Sequence, residues 1–166
     1  TTTEEASKTA GVYRGNRQLL RARALAGLKA LKEFRHTDPS RVAAIGYCFG
    51  GTTVLELARA NAEMVGVVSF HGGLDTPNPA TGPVVPQVLV LTGADDPGVP
   101  PAQRLAFEEE MRAAGANWQM NIYSGAVHAF TNPASGSTPS TGAAYNEKAD
   151  KRSFADMKQF FSELFK

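Results

Sequence analysis

The chain has 166 residues, of which 42% are apolar and 20% charged, with a net charge of +1. That length is enough for one domain with a real core, and the near-neutral balance gives no electrostatic reason to expect nucleic acid as a partner. A single cysteine excludes an intrachain disulfide and fits a reducing, cytoplasmic setting, while no apolar run approaches the ~20 residues of a membrane span.

The N-terminus, Thr1-Thr2-Thr3-Glu4-Glu5, lacks the basic and apolar regions of a signal peptide. Arg14, Arg17, Arg21 and Arg23 then cluster among leucines, a pattern that predicts a solvated helix face. Residues 16–35 form an amphipathic helix by spacing, with Leu20, Ala24, Leu28, Leu31 and Phe34 recurring three and four apart. Pro39 ends that pattern by restricting the residue before it.

Val42–Tyr47 is a short apolar run suited to a buried parallel strand. Gly50-Gly51 follows, and a helical pattern runs through about Ala62. Met64–Phe70 is a second strand, closed by His71-Gly72-Gly73. Residues 75–86 hold four prolines and read as a loop. Val88–Thr92 is a third strand, then Gly93-Ala94-Asp95-Asp96-Pro97. A helix is predicted over about Pro101–Ala114, with proline at its start. Trp118–Tyr123 is the fourth strand. Residues 131–142, rich in Ser, Thr, Gly and Pro, read as a surface loop. The last helix, about 143–165, places Phe154, Met157, Phe161 and Leu164 on one face. Strands alternating with helices predict an α/β fold, a parallel sheet covered on both faces.

The chemistry concentrates where strands end. Gly46-Tyr47-Cys48-Phe49-Gly50 has the form of a nucleophile elbow, with Cys in place of Ser. A sharp strand-to-helix turn presents the nucleophile, and glycines two residues to either side leave room for it. The helix behind directs its positive end at the sulfur, favouring thiolate. The Phe49 N–H is positioned to receive a developing oxyanion. Such a nucleophile needs a base, and the base needs an orienting acid. His128 follows the fourth strand, and Asp95 and Asp96 follow the third. The chain order Cys, Asp, His is that of α/β-hydrolases.

Several segments together resemble the dienelactone hydrolase family. They are Asp38–Gly51 around the elbow, Ser69-Phe70-His71-Gly72-Gly73, Gly93–Pro100, and Gly125-Ala126-Val127-His128-Ala129-Phe130. The resemblance implies a three-layer α/β-hydrolase that cleaves a carboxylic ester or lactone without a cofactor. It carries nucleophile and base onto Cys48 and His128. In the family pattern the acid precedes a Val-Pro pair by three residues. This selects Asp96, ahead of Val99-Pro100, over Asp95. Phe70 and His71 fall where the family lines its pocket and are candidate substrate contacts.

Proteins of this family begin with several strands and a helix before the segment that starts here. The resemblance therefore implies an N-terminally truncated domain over residues 1–166, lacking the first strands. It also lacks the loop that gives the second oxyanion donor and the carboxylate that contacts the resting thiol. Val42–Tyr47 would then be an apolar edge, needing cover from another copy or from a missing N-terminal segment. Two rival readings are a cysteine enzyme resembling the DJ-1/PfpI family and a non-catalytic remnant or binding module. In the DJ-1/PfpI enzymes with a Cys-His pair, His follows the nucleophile directly, whereas Phe49 follows Cys48. No metal is expected, because three scattered histidines and one cysteine show no ligand spacing.

Overall fold

The computed structural model describes residues 2–166; Thr1, the first residue of the N-terminal reading, lies outside them. The four expected strands are present: β1 (Ala43–Tyr47), β2 (Gly66–Phe70), β3 (Gln87–Gly93) and β4 (Trp118–Tyr123). They form one sheet in the order β1-β2-β3-β4, and every pair is parallel. Five α-helices accompany them: α1 (Thr3–Gly15), α2 (Arg17–Lys32), α3 (Phe49–Arg59), α4 (Pro101–Ala113) and α5 (Glu147–Leu164).

The strands alternate their side chains between two cores, as period-2 geometry requires. Val67, Val88 and Val90 pack with Val54, Leu55 and Ala58 of α3 and with Phe107 and Met111 of α4. Val68, Phe70, Leu89 and Leu91 pack on the other face with Ala149, Met157 and Phe160 of α5. This is the three-layer arrangement that continuous apolar strands demand. Each large side chain so buried contributes about 1.5–3 kcal/mol, and β2, buried at all five positions, is the centre of that stabilisation. β1 is the edge strand. Its Ile45 and Tyr47, paired with Val68 and Phe70 on the α5 face of the sheet, are 44% and 45% exposed.

The structure corrects four expectations. Residues 3–15 form a helix that apolar spacing did not reveal. Its start is a capping box, in which Thr2 Oγ1 accepts from Glu5 N–H and Glu5 accepts from Thr2 N–H. The arginine cluster is a solvated face only in part: Arg14 and Arg23 are exposed, as expected, and the other two are not. Arg17 is buried, and Arg21 reaches Glu56 Oε2 at 2.7 Å. Glu56 is itself fully buried on α3 and also pairs with Arg59 at 3.0 Å. Arg21 of α2 therefore finds its charged partner on α3, whereas Arg17 reaches Asp75 in the loop after β2, at 3.5 Å. Helix α2 stops at Lys32, and two residues of its expected apolar stripe, Leu31 in its last turn and Phe34 beyond its end, are exposed. On α5 the buried face is Ala149, Ser153, Met157 and Phe160. Phe154 points outward, with Lys158 Nζ 5.2 Å from its ring centre.

Candidate active site

Cys48 joins β1 to α3 with φ 52° and ψ −119°, a strained conformation for a residue with a side chain. Two glycines make the turn possible, Gly46 as the motif suggests and Gly51 in place of Gly50. A Cβ at Gly46 would run into the Gly50 carbonyl. A Cβ at Gly51 would come within 2.9 Å of the Gly72 Cα, so Gly51 lets the helix approach the loop after β2. A Cβ at Gly50 would meet nothing within 4 Å. No side chain caps the first turn of α3, so its leading N–H groups, Phe49 among them, are not taken up by a cap. The Phe49 side chain lies under Arg14, whose guanidinium carbon is 5.4 Å from the ring centre.

Parallel register sets the neighbours of Cys48. Tyr47 pairs with Phe70, so Cys48 and His71 leave the sheet side by side. Phe70 pairs with Leu91, and Gly93 with Tyr123. The segments after β3 and β4 therefore emerge at the same end. Asp96 lies in the first and His128 in the second.

Of the two adjacent carboxylates, Asp96 is buried and Asp95 exposed. Asp96 Oδ1 accepts from the Gly98 N–H at 2.8 Å, and Oδ2 lies 3.2 Å from His128 Nδ1. His128 is fixed from behind by Gly142, in the stretch expected as a plain surface loop, and by Ala144, expected in the last helix, which starts only at Glu147. Its N–H donates to the Gly142 carbonyl, and its carbonyl accepts from the Ala144 N–H. The adjacent Ala129 has φ 56°. Positive φ at Cys48, His71 and Ala129 concentrates backbone strain around this one cluster.

Ligand atoms of Cys48, His71 and His128 all lie within 4.8 Å of one another. Histidines that are scattered in sequence thus converge on the cysteine. The hydrogen bond to His128 and then that to His71 hold the Cys48 thiol down at about 6. The bond to Asp96, and then that to Cys48, push His128 up to about 10. At neutral pH the pair is therefore thiolate beside imidazolium. A soft sulfur–imidazole set could also hold a thiophilic cation, in place of the hydrogen bonds that join Cys48 to the two imidazoles. His71 Nε2 is 2.8 Å from Thr131 Oγ1, and His128 Nδ1 is engaged by Asp96.

The two expected substrate contacts are enclosed. Phe70 and His71 are each 1% exposed. Phe70 stacks against Tyr47, with centroids 4.4 Å apart. The member of that stack open to solvent is Tyr47. Sequence reading did not single out Tyr47 or Thr131; only the register and the fold of the loop after β4 bring them to the site.

A parallel sheet under helices on both faces, with a strand–turn–helix elbow and a carboxylate-backed histidine at the strand ends, defines an α/β-hydrolase. The chain belongs to the dienelactone hydrolase family, whose profile matches residues 2–165. It is 42% identical to the dienelactone hydrolase-like promiscuous phosphotriesterase P91 from metagenomic libraries. The TM-score is 0.89, over 98% of this chain and 68% of that one. An uncharacterised protein of Caenorhabditis elegans is 33% identical over 88% of this chain and 94% of its own length. A protein of Aquifex aeolicus named for carboxymethylenebutenolidase activity is 30% identical, over 64% of this chain. This chain spans only about half, 47%, of that protein. Family membership sets the DJ-1/PfpI reading aside. Among the described residues, no helix is long and apolar enough to cross a membrane.

Proposed function

We propose that the protein hydrolyses a carboxylic ester or lactone through Cys48, His128 and Asp96, as an intracellular enzyme without a cofactor. The observation that carries this reading is the continuous chain from Cys48 through His128 to the buried Asp96 carboxylate.

Cys48 thiolate attacks the carbonyl carbon, and the electron pair moves to the carbonyl oxygen. The Phe49 N–H, at the positive end of α3, donates to that oxyanion. Collapse expels the alkoxide, which takes the proton from His128, leaving a thioester on Cys48. His128, now neutral, takes a proton from water as the water attacks the thioester. The second collapse releases the acid and returns thiolate beside imidazolium. Asp96 holds the proton on Nδ1 of His128, so that Nε2 faces the reaction. With Phe70 enclosed, the substrate-facing aromatic of this scheme is Tyr47. The activity named for P91 makes phosphotriesters a second class to assay alongside esters.

Mass spectrometry after rapid quench with an activated ester tests the scheme. An acyl adduct on Cys48 that forms and decays at the rate of turnover is expected. Turnover without any adduct on Cys48 would refute it, and no turnover with an ordinary thiol would favour the binding-module reading.

A further inference from the structure

Three soft ligands meet at one end of the sheet. One atom each of Cys48, His71 and His128 lies within 4.8 Å of the other two. Tetrahedral zinc holds thiolate sulfur at about 2.3 Å and imidazole nitrogen at about 2.0–2.1 Å, which sets its ligand atoms about 3.3–3.6 Å apart. No pair at this place need close by more than about 1.5 Å to reach that spacing.

Each imidazole offers the nitrogen that a metal needs. The Cys48 N–H donates to His71 Nδ1 at 3.2 Å, so this nitrogen carries a lone pair and not a proton. The His71 proton is on Nε2, which donates to Thr131 Oγ1 at 2.8 Å. His128 Nδ1 is 3.2 Å from Asp96 Oδ2, which leaves Nε2 for the side of the sulfur. Metal-binding histidines are held in this way, the far ring nitrogen donating to a carboxylate or another oxygen. Turning His71 Nδ1 to a metal leaves no orphan, because the Cys48 N–H also donates to the Phe70 carbonyl at 3.0 Å.

We propose that Cys48 Sγ, His71 Nδ1 and His128 Nε2 form a Zn²⁺ site, with water in the fourth position, and that its occupation switches the enzyme off. The proposal rests on the reading of Cys48 as nucleophile and His128 as base.

Charge, rigidity and access agree with it. Cys48 would bind as thiolate, and the buried Asp96 carboxylate stands behind His128. Two negative charges match a divalent cation. Thiolate with imidazole suits zinc, whereas magnesium and calcium take oxygen ligands. His71 is 1% exposed, and its ring is wedged edge-on against Phe130, with centroids 5.1 Å apart. One ligand is thus fixed before the metal arrives. The His128 side chain is 36% exposed, so an ion can enter past it and a water can complete the coordination. Binding releases the Nε2 proton of His128 to solvent, since only neutral imidazole ligates. The metal then holds both the sulfur lone pair that attacks and the nitrogen that moves protons, and hydrolysis stops.

Zn²⁺ titrated into the metal-free protein in competition with a chromophoric chelator reads affinity and stoichiometry. A single ion per chain is expected. Ester hydrolysis and alkylation of Cys48 by iodoacetamide should both fall as it binds, and both should return with EDTA. Co²⁺ in the same place should show a sulfur-to-cobalt charge-transfer band and the strong visible absorption of tetrahedral coordination. His71→Ala should weaken Zn²⁺ by more than the roughly 10–100-fold typical of losing an outer partner. Thr131→Val removes such a partner and should cost about tenfold. Zn²⁺ affinity unchanged in His71→Ala would overturn the proposal, since the ion would then rest on Cys48 and His128 alone. Should that variant fail to fold, cobalt decides in the unaltered protein, and a spectrum without the sulfur band overturns the site. An acyl adduct on Cys48 whose turnover ignores Zn²⁺ would sink the proposal and leave the proposed function standing. Absence of that adduct during turnover of the metal-free protein would sink the proposed function, whatever zinc does.

Discussion

His128 Nδ1 lies 3.2 Å from Asp96 Oδ2, and the other oxygen of that carboxylate is held by the Gly98 N–H at 2.8 Å. The acid is thus fixed at both oxygens and closed off from water, while its sequence neighbour Asp95 is exposed. Two side chains of the same type, adjacent in the chain, have opposite environments.

Asp96→Asn should lower kcat by about 10³–10⁴, because an amide in this place favours the wrong imidazole tautomer. Asp95→Asn should remain within about twofold, as surface changes usually do. Steady-state hydrolysis of a small activated ester compares the two. Equal losses would mean that the carboxylate holding His128 in solution is not Asp96.

Cys48→Ala should abolish ester hydrolysis, and Cys48→Ser should keep a small residue of it, since the elbow accepts either atom. Undiminished turnover in Cys48→Ala would place the nucleophile elsewhere.

The pH dependence follows from the same pair. The Cys48 thiol is depressed, so activity should rise as pH passes upward through about 6 and thiolate forms. His128 is raised, so activity should fall above about 10, where the proton owed to the leaving alkoxide is lost. The expected kcat/KM profile for an alkaline-stable alkyl ester is a broad bell between these limbs. A single acid limb at the usual cysteine position would contradict the thiolate–imidazolium ground state.

The strands were legible because fully buried parallel strands are continuous apolar runs, and Val67–Phe70 and Val88–Leu91 leave no other use for such residues. The separation of Asp96 from Asp95 came from a family resemblance, and burial gives it a physical cause. Other features were hidden for equally physical reasons. Arg17 and Arg21 look solvated because polarity is usually outward; nothing local announces a buried Glu56 thirty-five residues from Arg21. Phe154 and Phe161 fit one helical stripe, yet the sheet selects Met157 and Phe160. His71 reaches Cys48 only through strand register, Tyr47 against Phe70. Residues 131–142 have loop composition and the next few a helical pattern, and only the fold reveals that Gly142 and Ala144 clamp the main chain of His128.

That clamp makes a prediction about residues far from the chemistry in sequence. Gly142 has φ 82°, and a Cβ there would stand 3.1 Å from Pro97 Cγ, next to Asp96. Gly142→Val would therefore combine backbone strain with pressure on the turn that carries the acid. The expected result is a kcat loss of about 10²-fold from misplacement of the acid–base pair, with KM less affected. A variant with unchanged kcat would show that His128 holds its place without the loop.

The buried ion network predicts a change in stability rather than activity. Glu56 is fully buried between Arg21 and Arg59. Arg59 retains Glu110, at 2.9 Å, whereas Arg21 would keep only the Asn78 carbonyl. Glu56→Ala should cost about 3–5 kcal/mol, the usual penalty for stripping one partner from a buried pair. Urea unfolding measures it, and a loss below about 1 kcal/mol would mean that water already enters the network.

The edge of the sheet predicts an association. β1 has β2 on one side only, and Ile45 and Tyr47 are nearly half exposed. Beside it opens a cleft of about 170 Å³ lined by Ala24, Leu28, Leu31, Val42, Ala44 and Met64, among others. An apolar strand with one row of unpaired backbone groups is a template for another strand. Each buried backbone group left unpaired costs about 1–3 kcal/mol, so several together rival the ~5–15 kcal/mol that holds a domain folded. Residues 1–166 in isolation should therefore self-associate through β1, and Ile45→Lys should weaken that association by placing a charge on the edge. Size-exclusion chromatography coupled to light scattering, run over a range of concentrations, reads both. If the Phe49 N–H is the sole oxyanion donor, ester hydrolysis by the same samples should be weak, since one donor fewer costs about 10²–10³ in rate. A monodisperse, fully active monomer, indifferent to Ile45→Lys, would mean that α1 and α2 cover the edge in solution and that the Phe49 N–H suffices for the oxyanion.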